Sequence, residues 1–458
     1  MNVISKTMAA RIGWTSVVFG ANQVLRLLNN VLLARLLAPS LFGLMTIVNA
    51  IRVGVELLSD LGINQNIVSS PQGHTKDFYD TAWTLQVLRG VLLGSIAFAL
   101  SQPLAAFFRQ PELAVILPVA SLMFVFSGLM STSGGLLQKQ INVVRAGLFE
   151  LCGLTLTIIA QVSLAIVTPT IWALVLGSVV GSAISLIASY LLIPGIRHRF
   201  FIDKAIAGQI ISFGKWIFLS SIIYFLAMNF DRLYFARQIT LTELGIFSIA
   251  RALTDMFNQF AVRASNMVLF PTVAAWQISE VEVRSRVLRG RRLLFLAAAL
   301  GLGAVVSVSD LIIQLLYDDR YLQAGAILPL LLIGVWFSIL CTINDSIMLG
   351  TKRPAYPALS SGAKLLFYVV ALPLTFHLYG FMMAVLVLSL GEVVRYIALW
   401  TFSRRQHLGF GRDDLVLSLI FFGSILAFRE LLALVGLTGG ITTLFPLLND
   451  LQASIAGL

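Results

Sequence analysis

Residues 31–51 read VLLARLLAPSLFGLMTIVNAI, an apolar run, a short turn at Pro39–Ser40, and a second apolar run. Residues 233–253, LYFARQITLTELGIFSIARAL, lie 202 positions later and align with them without a gap. Ala34, Arg35, Gly43 and Ala50 match Ala236, Arg237, Gly245 and Ala252, while Leu44, Ile47 and Ile51 meet Ile246, Ile249 and Leu253. In each copy the segment closes one apolar span, crosses a turn and enters the next. Chance similarity between apolar helices is the alternative. The fixed spacing of an Ala-Arg pair and a glycine in a polar turn argues against it. Six spans separate the copies, an even number, so both halves insert with the same orientation. Parallel repeats of this kind form transporters whose substrate site lies between the halves.

The rest of the chain carries the same message. Of its 458 residues 58% are hydrophobic and 12% charged, with a mean hydropathy of +0.91. Soluble domains carry roughly a quarter charged residues, so this chain has lipid as its main solvent. Only helices and closed barrels satisfy their backbones in hydrocarbon. Barrel strands alternate in polarity, and stretches such as Leu92–Leu100 and Leu293–Val308 do not. The fold class expected is therefore an all-α polytopic membrane protein. Cys152 and Cys341 offer neither a disulfide framework nor a zinc pattern, and the four histidines are scattered, so no metal site is expected. The first apolar segment lacks a small-residue cleavage site and reads as an uncleaved signal anchor.

Apolar windows place spans near 13–37, 41–66, 82–107, 113–137, 143–168 and 170–193, then near 210–237, 241–269, 291–316, 323–349, 354–378 and 380–402. A thirteenth runs near 415–436, and the tail after it is too short and too broken by Pro446 to settle a fourteenth. The expected domains are a six-helix lobe over 1–200, a second over 201–405, and one or two extra helices over 406–458. Pro194–Gln209 reads as a basic cytoplasmic linker. Outside the spans, 18 Lys and Arg fall on the side of the N-terminus and four (Arg35, Arg109, Arg237, Arg320) on the other. Positive residues mark the cytoplasmic side, so the N-terminus is expected there. The net charge of +11 is thereby a matter of topology, and no nucleic-acid partner is expected.

Ten basic residues remain inside spans, where each needs a partner, water or a way out. Lys215, Arg232 and Arg429 lie near span ends and are expected to snorkel. Arg52, Glu56 and Asp60 recur every four residues on the second span, one face of a helix. Arg251, Asp255, Gln259 and Arg263 do the same on the corresponding span of the second half. Two such stripes suggest the walls of a hydrated cavity, with Arg26 on the first span as a further positive group. Pairing of Arg52 with Glu56 and of Arg251 with Asp255 would equally satisfy the charges without a ligand. Arginine binds phosphate through paired donors and stays charged, so an anionic substrate fits such a cavity. Glu56, Asp60 and Asp255 read either as partners of the arginines or as groups coupling an ion, H⁺ or Na⁺; no cofactor is implied. The run Arg284–Arg292 holds five arginines and reads as a topological signal, or else as a patch for anionic headgroups or the incoming diphosphate.

The run LLARLLAPSLFGLMTIVNAI with LLSDLGINQNIV (residues 32–51 and 57–68) resembles the first two spans of polysaccharide-transporter flippases. These belong to the multidrug/oligosaccharidyl-lipid/polysaccharide exporter superfamily, and the similarity in layout extends over roughly residues 1–410. The resemblance implies alternating-access transport of an undecaprenyl-diphosphate-linked repeat unit across the bacterial cytoplasmic (inner) membrane, for exopolysaccharide or O-antigen (lipopolysaccharide) synthesis. It implies that Arg26, Arg52 and Arg251, with Arg263 as an alternate, hold the diphosphate. Membrane lipids, the lipid-linked oligosaccharide and polysaccharide polymerase machinery are the implied partners. Drug exporters of the superfamily place a carboxylate on the first span, whereas residues 13–37 contain none. Membrane polymerases and ligases carry a large outer loop with catalytic groups, whereas every outer connection expected here is short, so an enzyme is not expected.

Overall fold

A computed structural model describes residues 2–57, 75–139, 143–193, 198–265, 280–351, 355–406 and 408–445, with isolated positions at 63, 66, 67, 70, 72, 73, 269, 273 and 353. The side chains of 2–12, 138, 143, 213–220, 223–224 and 280–290 lie outside that description. The elements among the described residues are helical. The first series comprises α1 (Asn2–Leu36), α2 (Pro39–Leu57), α3 (Lys76–Ala99), α4 (Ser101–Phe108), α5 (Leu113–Ala120), α6 (Leu122–Leu129), α7 (Ser133–Lys139), α8 (Val143–Val167) and α9 (Ile171–Leu191). The second comprises α10 (Lys204–Gln238), α11 (Leu241–Ala264), α12 (Glu280–Ser307), α13 (Ser309–Leu316), α14 (Ala324–Gly350), α15 (Ala355–Tyr379), α16 (Phe381–Arg405), α17 (Gly411–Leu434) and α18 (Ile441–Leu444).

Nine of these helices are long and apolar enough to cross a membrane, and α12 with α13, bent by 58°, makes a tenth. The protein is a multi-span membrane protein. Large apolar side chains stand mostly exposed on the helix surfaces, among them Leu293, Leu366 and Leu434, which would be untenable in water at this density and is ordinary in lipid. The long helices α10 and α11, over the seventh and eighth expected spans, are not among the nine. In α11 the stripe of Arg251, Asp255, Gln259 and Arg263 dilutes the apolar content. The fourth expected span, 113–137, is divided into α5, α6 and α7, with extended backbone at Met130 separating the last two.

Local chemistry explains the helix boundaries. Pro39 opens α2 at the first helical position, where its missing N–H is no loss. Thr240 caps α11 with a reciprocal box: its hydroxyl accepts from Glu243 N, and the Glu243 carboxylate accepts from Thr240 N at 2.9 Å. Asp203 caps α10 by accepting from Ala205 N and Ile206 N.

The chain divides into two compact units, Met1–Gly245 and Ile246–Leu458. In the first, α8 packs on α1 and α9, α3 on α6, and α10 on α2. Polar side chains tie these helices: Gln161 on α8 accepts from Asn29 of α1 and donates to Ser178 of α9, both at 3.0 Å. The first turns of α2 and α11 approach as closely as backbones allow. A Cβ at Gly43 would fall on the carbonyl of Leu241, and a Cβ at Gly245 on the carbonyl of Pro39. Positions 39 and 241, like 43 and 245, are partners in the alignment 202 residues apart. The same contact is thus made twice with the roles exchanged. Gly245→Ala is expected to cost about 1–3 kcal/mol, as overpacking does, and to lower the melting temperature in detergent. Gly423→Ala, where a Cβ meets open space, serves as the control with no comparable loss.

The connection ahead of α10 is strapped to α3. Asp80, fully buried, accepts from Arg199 Nε at 3.2 Å, and Thr81 and Thr84 accept from the backbone N–H of Asp203 and Phe201. His198 stacks on Trp83 with ring centroids 5.3 Å apart, and its Nε2 lies 2.8 Å from Ser131 Oγ. Burial holds the imidazole below its ordinary pKa of 6.5, partly opposed by the Asp80 carboxylate. The folded protein therefore disfavours the protonated form, so the linker's stability is full above pH 6.5 and declines as pH falls through that value. The wild-type melting temperature should drop more between pH 7.5 and 5.5 than that of His198→Gln. Equal drops would show that His198 does not titrate in the strap.

In the second unit, α16 packs on α14 and α15, and α17 packs on α12. Hydroxyls again bridge helices, with Ser307 donating to the carbonyl of Ile425 at 3.0 Å and Ser424 to that of Ala299 at 3.3 Å. The thirteenth span is thereby an integral part of this unit. Of the basic run Arg284–Arg292, the last two arginines are structural. Arg291 is buried between the rings of Phe295 and Phe410, each centroid 4.4 Å away, against Asp414 at 2.5 Å. Arg292 donates to Asp413 at 2.7 Å. Both anchor the start of α17 to α12.

Candidate functional site

The sequence places four candidate arginines on three helices, two arginines in each unit. In the first unit Arg52 Nη1 donates to both carboxylate oxygens of Glu56, at 3.1 and 3.3 Å, along one turn of α2. Both side chains keep 35% of their surface exposed. Arg89, on α3, donates from Nη2 to the backbone carbonyl of Glu56 at 2.7 Å. That carbonyl lies in the last turn of α2, among the acceptors a helix leaves without an internal partner. Arg26 is exposed on α1. Asp60 lies outside the described residues.

In the second unit Arg251 Nε stands 3.7 Å from Asp255 on α11. Arg251 also lines a small pocket with Thr254, Asn258, Ser389 and Glu392. Arg263 is exposed in the last turn of α11. The pairings of Arg52 with Glu56 and of Arg251 with Asp255, which the sequence offers as the alternative to a ligand, are both formed at spacing i,i+4.

Three more basic residues of the spans are held deeper, by acids that a reading centred on the two stripes passes over. Lys364 on α15, 2% exposed, donates to Glu392 of α16 at 2.5 Å. Arg395, one turn on, stands 3.9 Å from Glu392 and donates to Asp345 of α14 at 2.5 Å. Arg429 does not snorkel. It is fully buried, forks onto Asp310 at 2.8 and 2.9 Å, and donates to the carbonyl of Ser307 and to Thr443 Oγ1. Intramembrane acids are as costly as intramembrane bases. Counting Asp310, Asp345 and Glu392 beside the arginines, with Glu392 and Arg395 one turn apart, is the signal that finds these pairs. Among the described residues no group of three His, Cys, Asp or Glu is arranged to hold a metal ion.

Ion pairs inside the spans thus form a graded series. The deep ones fasten helices together, Arg251–Asp255 is 15% and 28% exposed, and Arg52–Glu56 is 35% exposed on both sides. A family model described as polysaccharide biosynthesis protein matches residues 32–326, well over half of the chain. The chain belongs to that family. Its match to the teichuronic acid biosynthesis protein TuaB of Bacillus subtilis (strain 168) is 22% identical over 358 residues, 77% of this chain and 73% of the relative. The lipopolysaccharide biosynthesis protein WzxC of Escherichia coli (strain K12) is 24% identical over 352 residues, 75% and 68% of the two chains. The succinoglycan biosynthesis transport protein ExoT of Rhizobium meliloti (strain 1021) is 24% identical over 272 residues, 59% and 54%.

Solved structures extend the family likeness to the fold. The lipid II flippase MurJ in its inward closed conformation superposes with a TM-score of 0.76 at 14% identity, covering 93% of this chain and 94% of that one. An inward-facing multidrug resistance MATE transporter superposes with a TM-score of 0.67 at 14% identity, covering 87% and 95%. The polytopic helical fold expected from the apolar spans is the fold of these transporters.

Proposed function

We propose that this protein is a flippase that carries an undecaprenyl-diphosphate-linked oligosaccharide from the inner to the outer leaflet of the bacterial cytoplasmic membrane. Arg52, held half-exposed on α2 of a family member with this transporter fold, is the observation that carries the reading. A guanidinium in an apolar span is expensive to keep and suits a diphosphate. Arg26, Arg251 and Arg263 complete the diphosphate-binding set, and Glu56, Asp60 and Asp255 are their charge partners or the seat of H⁺ or Na⁺ coupling. Two six-helix lobes, 1–200 and 201–405, form the alternating halves, with 406–458 as an addition to the second. The N-terminus is cytoplasmic. Membrane lipids surround the polyprenyl tail, and the polymerase machinery of exopolysaccharide or O-antigen synthesis takes over the delivered unit. The protein is a transporter and not an enzyme.

The test is the sidedness of the lipid-linked repeat unit in cells lacking this protein. Intact spheroplasts are treated with an impermeant sugar-modifying reagent. Protected material should accumulate, and wild-type protein should clear it. Arg52→Ala and Arg251→Ala, inserted at normal levels, should each clear it at least about tenfold more slowly, the loss of roughly 1.4 kcal/mol of binding. Accumulation of unpolymerised units on the outer leaflet would instead favour a polymerase.

A further inference from the structure

The Arg52–Glu56 pair differs in kind from the interhelical ion pairs of the spans. Lys364–Glu392, Arg395–Asp345 and Arg429–Asp310 each join different helices, with the cation no more than 10% exposed. Arg52 and Glu56 lie on one helix and are both 35% exposed, more open than any of those three pairs. An exposed i,i+4 pair is among the weakest ion pairs in proteins. Its geometry is also poor. A single nitrogen, Nη1, serves both carboxylate oxygens, whereas guanidinium binds oxyanions best through two parallel N–H donors. Glu56 is gripped a second time, from α3, by the bond from Arg89 to its backbone carbonyl. Its main chain is therefore held from α3 while its carboxylate accepts from a single nitrogen of Arg52.

We propose that the Glu56 carboxylate is a built-in counter-anion that stands in for a substrate phosphate, and that a diphosphate group displaces it from Arg52. The proposal rests on the flippase reading and adds an antagonist to it. In the unloaded protein Glu56 offsets the charge of Arg52 and orients it inside the span. A diphosphate, with more charge and the geometry for a two-donor fork, takes its place. Glu56 then returns to Arg52 and speeds release of the lipid after translocation. Arg89 is a positioning residue here: by fixing the end of α2 it keeps the carboxylate within one rotamer change of Arg52.

Competition and simple structural support make opposite forecasts for Glu56→Gln. The amide keeps the shape and loses the charge. If Glu56 competes, purified Glu56→Gln should bind farnesyl diphosphate at least about tenfold more tightly than wild type, with no such gain for farnesol. In vesicles the variant should turn over more slowly, because release is no longer assisted. Arg52→Ala should lose the phosphate-dependent part of binding in either background. Arg89→Gln should keep Arg52 binding but reduce the difference that Glu56→Gln makes. Unchanged or weaker binding by Glu56→Gln overturns the proposal while leaving the flippase reading intact. Wild-type protein that binds farnesyl diphosphate no better than farnesol overturns both.

Discussion

Arg429→Ala is expected to destabilise the protein by about 3–5 kcal/mol, the usual cost of removing one partner from a buried ion pair. Arg429 is fully buried and is the fork that joins α17 to the break between α12 and α13 and to Thr443 of α18. Its loss strands the Asp310 carboxylate and the carbonyl of Ser307. Asp310 retains 24% exposure at the wall of a pocket of about 520 Å³. Water can therefore solvate it in part, which places the loss toward the lower end of the range. Asp310→Ala in the same chain should recover some of the loss, since it removes the unpaired charge. Thermal unfolding in detergent checks this. A double variant as unstable as the sum of the two single ones would mean that the pair does not interact.

Glu392→Ala should be at least as damaging, again about 3–5 kcal/mol, because one carboxylate serves two cations. Lys364, 2% exposed, and Arg395, 10% exposed, both depend on it across α15 and α16. Lys364 then loses its carboxylate partner, while Arg395 keeps Asp345 as its remaining one. Replacing Glu392 and Lys364 together by Leu and Met should be much milder than either loss alone, because packed apolar groups can substitute for a buried ion pair. Accumulation in the membrane and melting temperature read this directly. If Glu392→Ala accumulates and melts like wild type, the network is not structural.

The architecture was legible in sequence wherever apolarity alone governs it. The nine long apolar helices overlap nine of the expected spans, the third being displaced by six to eight residues toward the N-terminus, to Lys76–Ala99. The breaks were not legible. Nothing in the apolar run 291–316 announces the 58° bend at Val308, and the division of 113–137 depends on how α5, α6 and α7 pack. Of the candidate site, the i,i+4 pairs Arg52–Glu56 and Arg251–Asp255 were visible because a single helix sets their spacing. Arg429 was misread because position near a span end says nothing about a carboxylate 119 residues away. The bond from Arg89 to Glu56 joins positions 33 residues apart on different helices, and no local pattern predicts it. Contacts within a helix follow from its period, and contacts between helices wait on the packing.

Flipping by purified protein in vesicles tests the central claim most directly. Vesicles carrying a fluorescent polyprenyl-diphosphate saccharide in both leaflets are treated with an impermeant quencher, and the protected fraction is followed with time. Wild-type protein should bring the protected half into reach of the quencher, with Arg52→Ala at least about tenfold slower and Arg52→Lys intermediate, as a point charge replaces a fork. A protected fraction that stays at one half with the wild-type protein, correctly folded and inserted, would contradict the assignment of this chain as a lipid-linked oligosaccharide flippase.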